Sequence, residues 1–165
     1  MIRQPLCKKV KSMESIQNDT GFESICLRNQ ICFPLYACAK EVVRQYRKPL
    51  EALGLTYTQY IVMMVLWEQG DMTESELGHT VRLDSGTLTP LLKRLEKQGL
   101  IVRTRPESKE RKLFLSLTEE GKALRESALD VPGQMRGCIH LPTEELKQLK
   151  TLLDKALSGM GRTRT

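Results

Sequence analysis

The chain has 165 residues, of which 40% are hydrophobic and 28% are charged, and its formal net charge is +6; this fits one ordinary domain and leaves little room for a second. No apolar run approaches the roughly 18 residues that span a bilayer, and the first residues lack the apolar centre of a secretory signal, so we expect a cytoplasmic protein with no membrane partner. The positive charge favours a polyanionic partner such as nucleic acid.

The N-terminal part of the chain is predicted to hold a loose tail and one long helix. Positions 1–20 are polar and show little periodicity, and Met13 is an alternative start of the protein. Apolar residues then recur at helical spacing from Ile25 to Leu53. Pro34 removes one backbone donor from this segment, which indicates either a kink or a fresh helix start.

Three more helices are predicted in the middle of the chain. Thr58 is expected to cap the first, which is apolar on nearly every side and therefore indicates a helix buried at the centre of the domain. Thr73 opens the second and has the spacing of a capping box with Glu76. Asp84 opens the third. Four leucines share one face of this third helix: Leu88, Leu91, Leu92 and Leu95.

A hairpin and two helices are predicted next. Residues 100–105 and 112–117 both look like strands, and the polar turn between them predicts a two-stranded hairpin with a charged tip. Thr118 is expected to cap a fifth helix that breaks near Pro132, and Thr143 a last one. Leucines share one face of that last helix: Leu146, Leu149, Leu153 and Leu157.

The middle of the chain has the order of a winged helix-turn-helix, in which the second helix of the pair fits the major groove and its first residues meet base edges. From Arg82 to Lys112, nine basic residues oppose four acidic ones, a local excess of five positive charges. A solvated charged face is the commoner fate of such a run, but its coincidence with a helix pair and a hairpin favours DNA. The candidate DNA-binding residues here are Asp84, Ser85, Gly86, Thr87, Thr89, Pro90, Lys93 and Arg94.

The predicted fold is therefore mainly α with a small β-hairpin. A winged helix-turn-helix domain occupies 55–118, and helices at 21–54 and 119–160 flank it. Because a single winged helix has no core left to cover the last leucine stripe, the flanking helices are expected to form a dimerisation region. Packing of the stripe on the chain's own first helix is about equally plausible for any one leucine.

The stretch LDSGTLTPLLKRLEKQGLIVRTR, with ERKLFLSLTEEGKAL after the turn, resembles the MarR family of winged-helix regulators. The resemblance covers about Leu55 to Leu124 and implies a homodimer that binds a near-palindromic operator in double-stranded DNA. It also implies a wing arginine in the minor groove, and Arg111 matches that position. The family usually has an acidic residue two positions before this arginine, where this chain has Lys109; its support is then absent or supplied by Glu110.

The segment NQICFPLYA is similar to the organic hydroperoxide resistance regulators within that family. The similarity implies a repressor, not an enzyme, that needs no cofactor and leaves DNA when an organic hydroperoxide oxidises Cys32. It implies that Tyr36 and Tyr46 hydrogen-bond the sulfur across the dimer interface, with Tyr57 as a further candidate. On a helix Cys32 and Tyr36 share a face, and a phenol favours the ionised thiol. Without the resemblance, a small buried apolar residue is the better interpretation of this cysteine.

The five cysteines contain no CxxC pair, which argues against a metal site. Cys38 lies six residues from Cys32, which on one helix is roughly 9 Å of rise and exceeds the ~7 Å reach of a disulfide; Cys26 fails in the same way if its segment is helical. The position of Cys7 is open. The resemblance places the second cysteine of two-cysteine members near Cys138 and their disulfide between subunits, which predicts a Cys32–Cys138 intersubunit bond.

Two other functions stay open. The chain is alternatively a MarR-type repressor released by a small phenolic ligand, with incidental cysteines; release by a phenol but not by a hydroperoxide would indicate this. From another class, a thiol peroxidase would turn peroxide over steadily with a reductant, although a peroxidase gains nothing from a basic winged helix.

Overall fold

The computed structural model of the chain describes residues 21–105 and 112–160. The chain forms two compact units, Met1–Glu41 and Val42–Thr165. The elements in chain order are α1 (Gly21–Ser24), a 3-10 turn (Leu27–Asn29), α2 (Cys32–Glu51), α3 (Tyr57–Gln69), β1 (Met72–Thr73), α4 (Glu74–Val81), α5 (Ser85–Lys97), β2 (Ile101–Thr104), β3 (Phe114–Leu117), α6 (Glu119–Ala128), α7 (Val131–Gln134) and α8 (Thr143–Gly159). No helix in these two described ranges combines the length and the apolar character needed to cross a bilayer.

The long N-terminal helix begins later than the periodicity predicts. α2 starts at Cys32, so Pro34 falls in its first turn, where the backbone N–H has no partner within the helix. A fresh helix start, one of the two alternatives for Pro34, is therefore confirmed. Residues 25–31 are wrongly included in the predicted helix, because they form a 3-10 turn and its connections.

A single apolar core holds the middle of the chain together. The prediction of a central helix is confirmed for α3, since Val62 and Met63 have no exposed area. The leucine face of α5 is confirmed as well, because all four of its leucines are buried. The side chains of this core with at most 2% exposure are Leu50, Val62, Met63, Leu66, Leu77, Leu88, Leu92, Leu95, Ile101, Leu115 and Val131.

The sheet has three antiparallel strands in the order β1-β3-β2. β2 and β3 form the predicted hairpin pair, with Ile101 opposite Leu117 and Thr104 opposite Phe114. β1 adds a third strand, which the sequence analysis missed, on the other edge of β3. A strand of two residues is too short to show any alternation, so only its pairing defines it.

Helix caps explain most of the observed boundaries. Thr73 and Glu76 form the predicted capping box at the start of α4. Thr56, and not the predicted Thr58, caps α3, because the Thr56 backbone N–H donates to the Gln59 side chain at 2.8 Å while its hydroxyl accepts from the Gln59 N–H. The predicted start of α3 is thus wrong by two residues.

The two last helices also differ in their boundaries. The fifth predicted helix breaks before Pro132, since α6 ends at Ala128 and Pro132 lies in the first turn of α7. Thr143 is the first residue of α8, not its cap, because Pro142 holds the cap position and no side chain caps this helix.

The start of α6 packs tightly on the connection between α5 and β2. Thr118 caps α6 as predicted: its hydroxyl accepts from the Gly121 N–H at 2.9 Å and donates to the Gly99 carbonyl at 2.6 Å. A Cβ at Gly121 would lie 2.0 Å from the carbonyl oxygen of Leu100, so only glycine fits there. The Trp67 indole N–H donates to the Gly121 carbonyl at 2.8 Å, which ties α3 to the same point.

Candidate functional site

The first turn of α5 is fixed by a carboxylate. The Asp84 side chain accepts hydrogen bonds from the backbone N–H and the hydroxyl of Thr87, both at 2.9 Å. These bonds, with the backbone one foremost, hold the pKa of Asp84 below its usual range. Asp84 therefore stays ionised near neutral pH and orders the end of the helix that would meet base edges.

Most of the predicted DNA-binding side chains on α5 face solvent. Thr89 is the exception, because it is half-buried and its hydroxyl donates to the Glu74 carboxylate at 2.6 Å, which ties α5 to α4. Asp84, Ser85, Gly86, Thr87, Pro90, Lys93 and Arg94 are exposed. The surface also contains an open cavity of about 310 Å³, lined by Thr56, Thr58, Gln59, Gly86, Thr87, Pro90, Leu91 and Arg94.

The basic residues of the helix-turn-helix divide into two groups. Arg103 is mostly buried and pairs with Glu96 at 2.9 Å, and the Arg82 guanidinium donates to the Leu157 carbonyl at 2.8 Å, so both cations contact the protein itself. The cations of α5, on Lys93, Arg94 and Lys97, are exposed. The wing arginine Arg111, with Lys109 and Glu110 beside it, lies outside the described residues.

Cys32 is exposed and is the first residue of α2. Its backbone thus lies at the N-terminal end of a helix of 20 residues, where the N–H groups have no partner within the helix. Tyr36 follows one turn later on α2, is 62% exposed, and has the Lys40 ammonium 5.8 Å from its ring centroid. The structure thus places Cys32 and Tyr36 one helical turn apart, as predicted.

The structure supports the exclusion of Cys38 as a disulfide partner of Cys32, but not that of Cys26. Cys38 is exposed and lies on α2 together with Cys32, so the helical rise between the two residues applies. Cys26 lies between α1 and the 3-10 turn, so the helical condition under which it was excluded does not hold. Cys7 lies outside the described residues. In the described part of the chain no group of three or more His, Cys, Asp or Glu side chains is placed to hold a metal ion.

Three tyrosines meet between α2 and α3. The Tyr46 ring lies 4.8 Å from that of Tyr57 and 6.1 Å from that of Tyr60, measured between centroids. Burial raises the pKa of Tyr46, and Tyr57, Tyr60 and Cys138 raise it further. The Tyr46 hydroxyl therefore remains a protonated donor at neutral pH. Tyr60 is absent from the predicted site because the predicted helix began at Thr58, which left Tyr57 outside it; with the observed start at Tyr57, the i,i+3 spacing places both rings on one face.

Cys138 lies beside this tyrosine cluster. It is half-buried in the connection between α7 and α8 and packs against the core. The Gln45 side-chain amide donates to the Cys138 carbonyl at 3.4 Å, a contact that the sequence analysis also missed. The contribution of Cys138 to the pKa of Tyr46 reflects the same proximity. Tyr46, Tyr57 and Cys138 are thus brought together within the unit Val42–Thr165.

The leucine stripe of α8 is incompletely covered. Leu146 and Leu149 are half-buried, whereas Leu153 and Leu157 expose 36% and 43% of their surface and the neighbouring Leu152 exposes 64%. No residue of α8 is fully buried. In the single chain, this helix of 17 residues therefore presents an apolar face to solvent.

Known proteins resemble the chain over most of its length. Residues 44–127 match the family model of the transcriptional regulators SarA/Rot. The chain is 48% identical to the organic hydroperoxide resistance transcriptional regulator of Bacillus subtilis over 135 residues, which is 82% of this chain and 92% of the relative.

Solved structures of AbfR from Staphylococcus epidermidis share the fold. Reduced AbfR bound to DNA is 36% identical with a TM-score of 0.69, covering 84% of this chain and 96% of AbfR. Disulfide-formed AbfR is 34% identical with a TM-score of 0.57, covering 84% and 92%. The same fold has thus been solved both on DNA and with a disulfide.

Proposed function

Because the chain belongs to the organic hydroperoxide resistance regulators of the MarR family, we propose that it is a homodimeric repressor that an organic hydroperoxide releases from its operator by oxidising Cys32. The resemblance to a hydroperoxide resistance regulator and to AbfR on DNA supports this function. The observation that carries the sensing mechanism is the cluster of Tyr46, Tyr57 and Cys138, since it offers phenols and a second thiol in one place.

DNA is read by α5 and its surroundings. Ser85, Gly86 and Thr87 present small groups at the exposed start of the helix, where base edges are met. Lys93 and Arg94 neutralise phosphates from the same helix, and Arg111 enters the minor groove as the resemblance implies. Asp84 and Thr89 act by holding α5 in place, because their oxygens are engaged within the protein. Residues 55–118 form this reading domain.

The sensor is assembled between two subunits. In any α-helix, residues fourteen apart are separated by about 21 Å along the axis, so the Tyr46 phenol that serves Cys32 belongs to the other subunit. The exposed leucines of α8 supply the surface that joins the subunits. The segments 21–54 and 119–160 thus form the dimerisation region, with Cys32 of one subunit directed at Tyr46, Tyr57 and Cys138 of the other.

Oxidation proceeds in two steps, formation of a sulfenic acid and then of a disulfide. The Cys32 thiolate attacks the outer oxygen of the hydroperoxide, the O–O bond breaks, and the alkoxide leaves with a proton as an alcohol, so that sulfur is oxidised to a sulfenic acid. Cys138 of the partner subunit then attacks this sulfur and expels water, giving an intersubunit disulfide. The new bond moves the subunits and changes the spacing of the two α5 helices.

The protein consumes peroxide once per thiol, so it acts as a sensor and not as an enzyme. A regulator of transcription works beside the DNA it binds, which in the bacteria of the relatives is the cytoplasm. No cofactor takes part in either oxidation step.

A gel-shift assay with the DNA that precedes the protein's own gene tests the proposal. Cumene hydroperoxide should weaken binding of the wild type about tenfold or more, and Cys32→Ser should stay bound. Cys38→Ser is the matched control, because it removes another exposed thiol of α2, and it should be released like the wild type.

Release of Cys32→Ser by the hydroperoxide would contradict the proposal. Release of the wild type by a phenol without any peroxide would favour a ligand sensor instead. Consumption of many peroxide molecules per thiol in the presence of a reductant would favour a peroxidase.

A further inference from the structure

Arg82 closes α4 at the turn that leads into the recognition helix, and its backbone is unusual. It has φ 55° and ψ 38°, the left-handed region, and it is the one non-glycine residue with a positive φ in the described ranges 21–105 and 112–160. Its N–H donates to the carbonyls of Gly78 and His79 at the end of α4. A non-glycine side chain held in this conformation indicates that the position needs the side chain for something else.

The side chain of Arg82 reaches a different part of the fold. Its guanidinium donates to the carbonyl of Leu157 at 2.8 Å. Leu157 lies in the last turn of α8, where carbonyls lack partners within the helix and carry the negative end of its dipole. A cation is the fitting partner for these carbonyls, so Arg82 acts as a cap on α8 from outside that helix.

The turn that carries Arg82 is stiff. The Leu83 N–H donates to the Gly78 carbonyl at 3.0 Å, and a Cβ at Gly78 would lie 3.2 Å from both the Leu83 carbonyl oxygen and a methyl carbon of Leu88. Asp84, two residues after Arg82, caps α5. A displacement of Arg82 is therefore passed on to the first turn of the recognition helix.

We propose that Arg82 is a positioning residue that couples α8, the helix with the exposed leucine stripe, to the recognition helix α5. This inference rests on the proposed function, since it needs a dimer whose DNA binding responds to changes at α8. The guanidinium of Arg82, although exposed like that of Arg94, donates to a carbonyl of α8, so we expect it to serve α8 and not a DNA phosphate. Arg82 thus determines how strongly a rearrangement of the subunits alters the DNA affinity, and it contributes no phosphate contact.

The test compares the DNA affinities of reduced and peroxide-treated protein, using the DNA that precedes the protein's own gene and a series of salt concentrations. Arg82→Gly keeps the left-handed backbone without strain and removes the guanidinium. For this variant, the ratio of the DNA affinity of reduced protein to that of oxidised protein should be about fivefold lower than for the wild type. This value is at the lower end of usual coupling strengths, because the Arg82–Leu157 contact is exposed. Arg82→Lys should restore part of the ratio.

The salt dependence separates positioning from phosphate binding. Arg82→Gly should leave the slope of log affinity against log salt unchanged, whereas Arg94→Ala should reduce it by about one. A wild-type ratio in Arg82→Gly, or a slope reduced by about one in that variant, would overturn the coupling. If Arg82→Gly fails to fold, a wild-type ratio in Arg82→Asn, whose side chain also tolerates the left-handed backbone, would overturn it equally. Failure of the wild type to bind this DNA, or to leave it after oxidation, would refute the proposed function and the coupling together.

Discussion

The winged-helix part of the chain and its C-terminal helix differ in how far they bury their apolar side chains. Leu77, Leu92 and Leu95 have no exposed area, and the caps and strands around them are paired within one chain. Along α8, by contrast, Leu153 and Leu157 keep about two fifths of their surface exposed although they share one face. The winged-helix part thus buries its core within a single chain, whereas α8 leaves an apolar face that the proposed dimer would cover with a second copy.

The largest effect is expected where the reader packs most tightly. Gly121→Ala places a Cβ about 2.0 Å from the Leu100 carbonyl oxygen, and a backbone atom cannot move away cheaply. The free energy of unfolding should fall by about 3 kcal/mol, at the upper end for overpacking. Gly133→Ala is the matched control, because nothing lies within 4 Å of its Cβ. Equal stability of the two variants in urea denaturation would show that the contact is not tight.

A charge on the exposed stripe should act on assembly and not on folding. In the proposed dimer, Leu153→Glu would bury a carboxylate between the subunits, so it should raise the dimer dissociation constant by about 30-fold or more, as for a strong interface residue. Thr151→Glu, on the opposite face of α8, should leave dimerisation unchanged. Sedimentation equilibrium gives both constants. A dimer as tight as wild type in Leu153→Glu would remove α8 from the interface.

The smallest effect concerns the charge of the cap on α5. Since hydrogen bonds lower the pKa of Asp84 in the folded protein, its ionised form stabilises the fold above about pH 4, the pKa of an unfolded aspartate, and this contribution disappears as the pH falls through the lowered value. Asp84→Asn keeps a capping acceptor, so its melting temperature should lie slightly below wild type at pH 7 and approach it in acid.

Asp130→Asn is the control for this charge effect. Asp130 precedes α7 and its side chain makes no capping hydrogen bond, so Asp130→Asn removes one carboxylate without altering a cap. The same pH dependence in wild type and Asp84→Asn would contradict the assigned role of the carboxylate.

Local patterns in the sequence predicted the helices of the winged-helix part well, but they did not predict contacts between residues that are far apart in the chain. The leucine face of α5 and the Thr73 capping box depend on neighbours within a turn or two, so periodicity and spacing suffice. β1 depends on a partner about forty residues away, and two residues show no period. The proximity of Cys138 to Tyr46 joins positions 92 residues apart. Nothing in either segment encodes such a pairing, so only the folded chain shows it.

The contact between Arg82 and α8 shows that the charge pattern of the sequence also fails to reveal long-range partners. From the sequence, Arg82 counts toward a basic DNA-reading surface, as do Arg103 and Lys93. The structure gives two of these three cations a partner within the chain, since Arg103 pairs with Glu96 and Arg82 donates to a carbonyl of α8. A count of charges gives the sign of a surface but not the partner of each side chain.

Mixing of two variants tests most directly whether the sensor is shared between subunits. Cys32→Ser and Cys138→Ser would each be made in a background where Cys7, Cys26 and Cys38 are serine, mixed to exchange subunits, and treated with cumene hydroperoxide. Each mixed dimer then holds one intact Cys32–Cys138 pair across the interface. A covalent species of twice 18.8 kDa on a non-reducing gel is expected from the mixture and from neither variant alone. A mixture that runs only at 18.8 kDa would contradict the shared sensor.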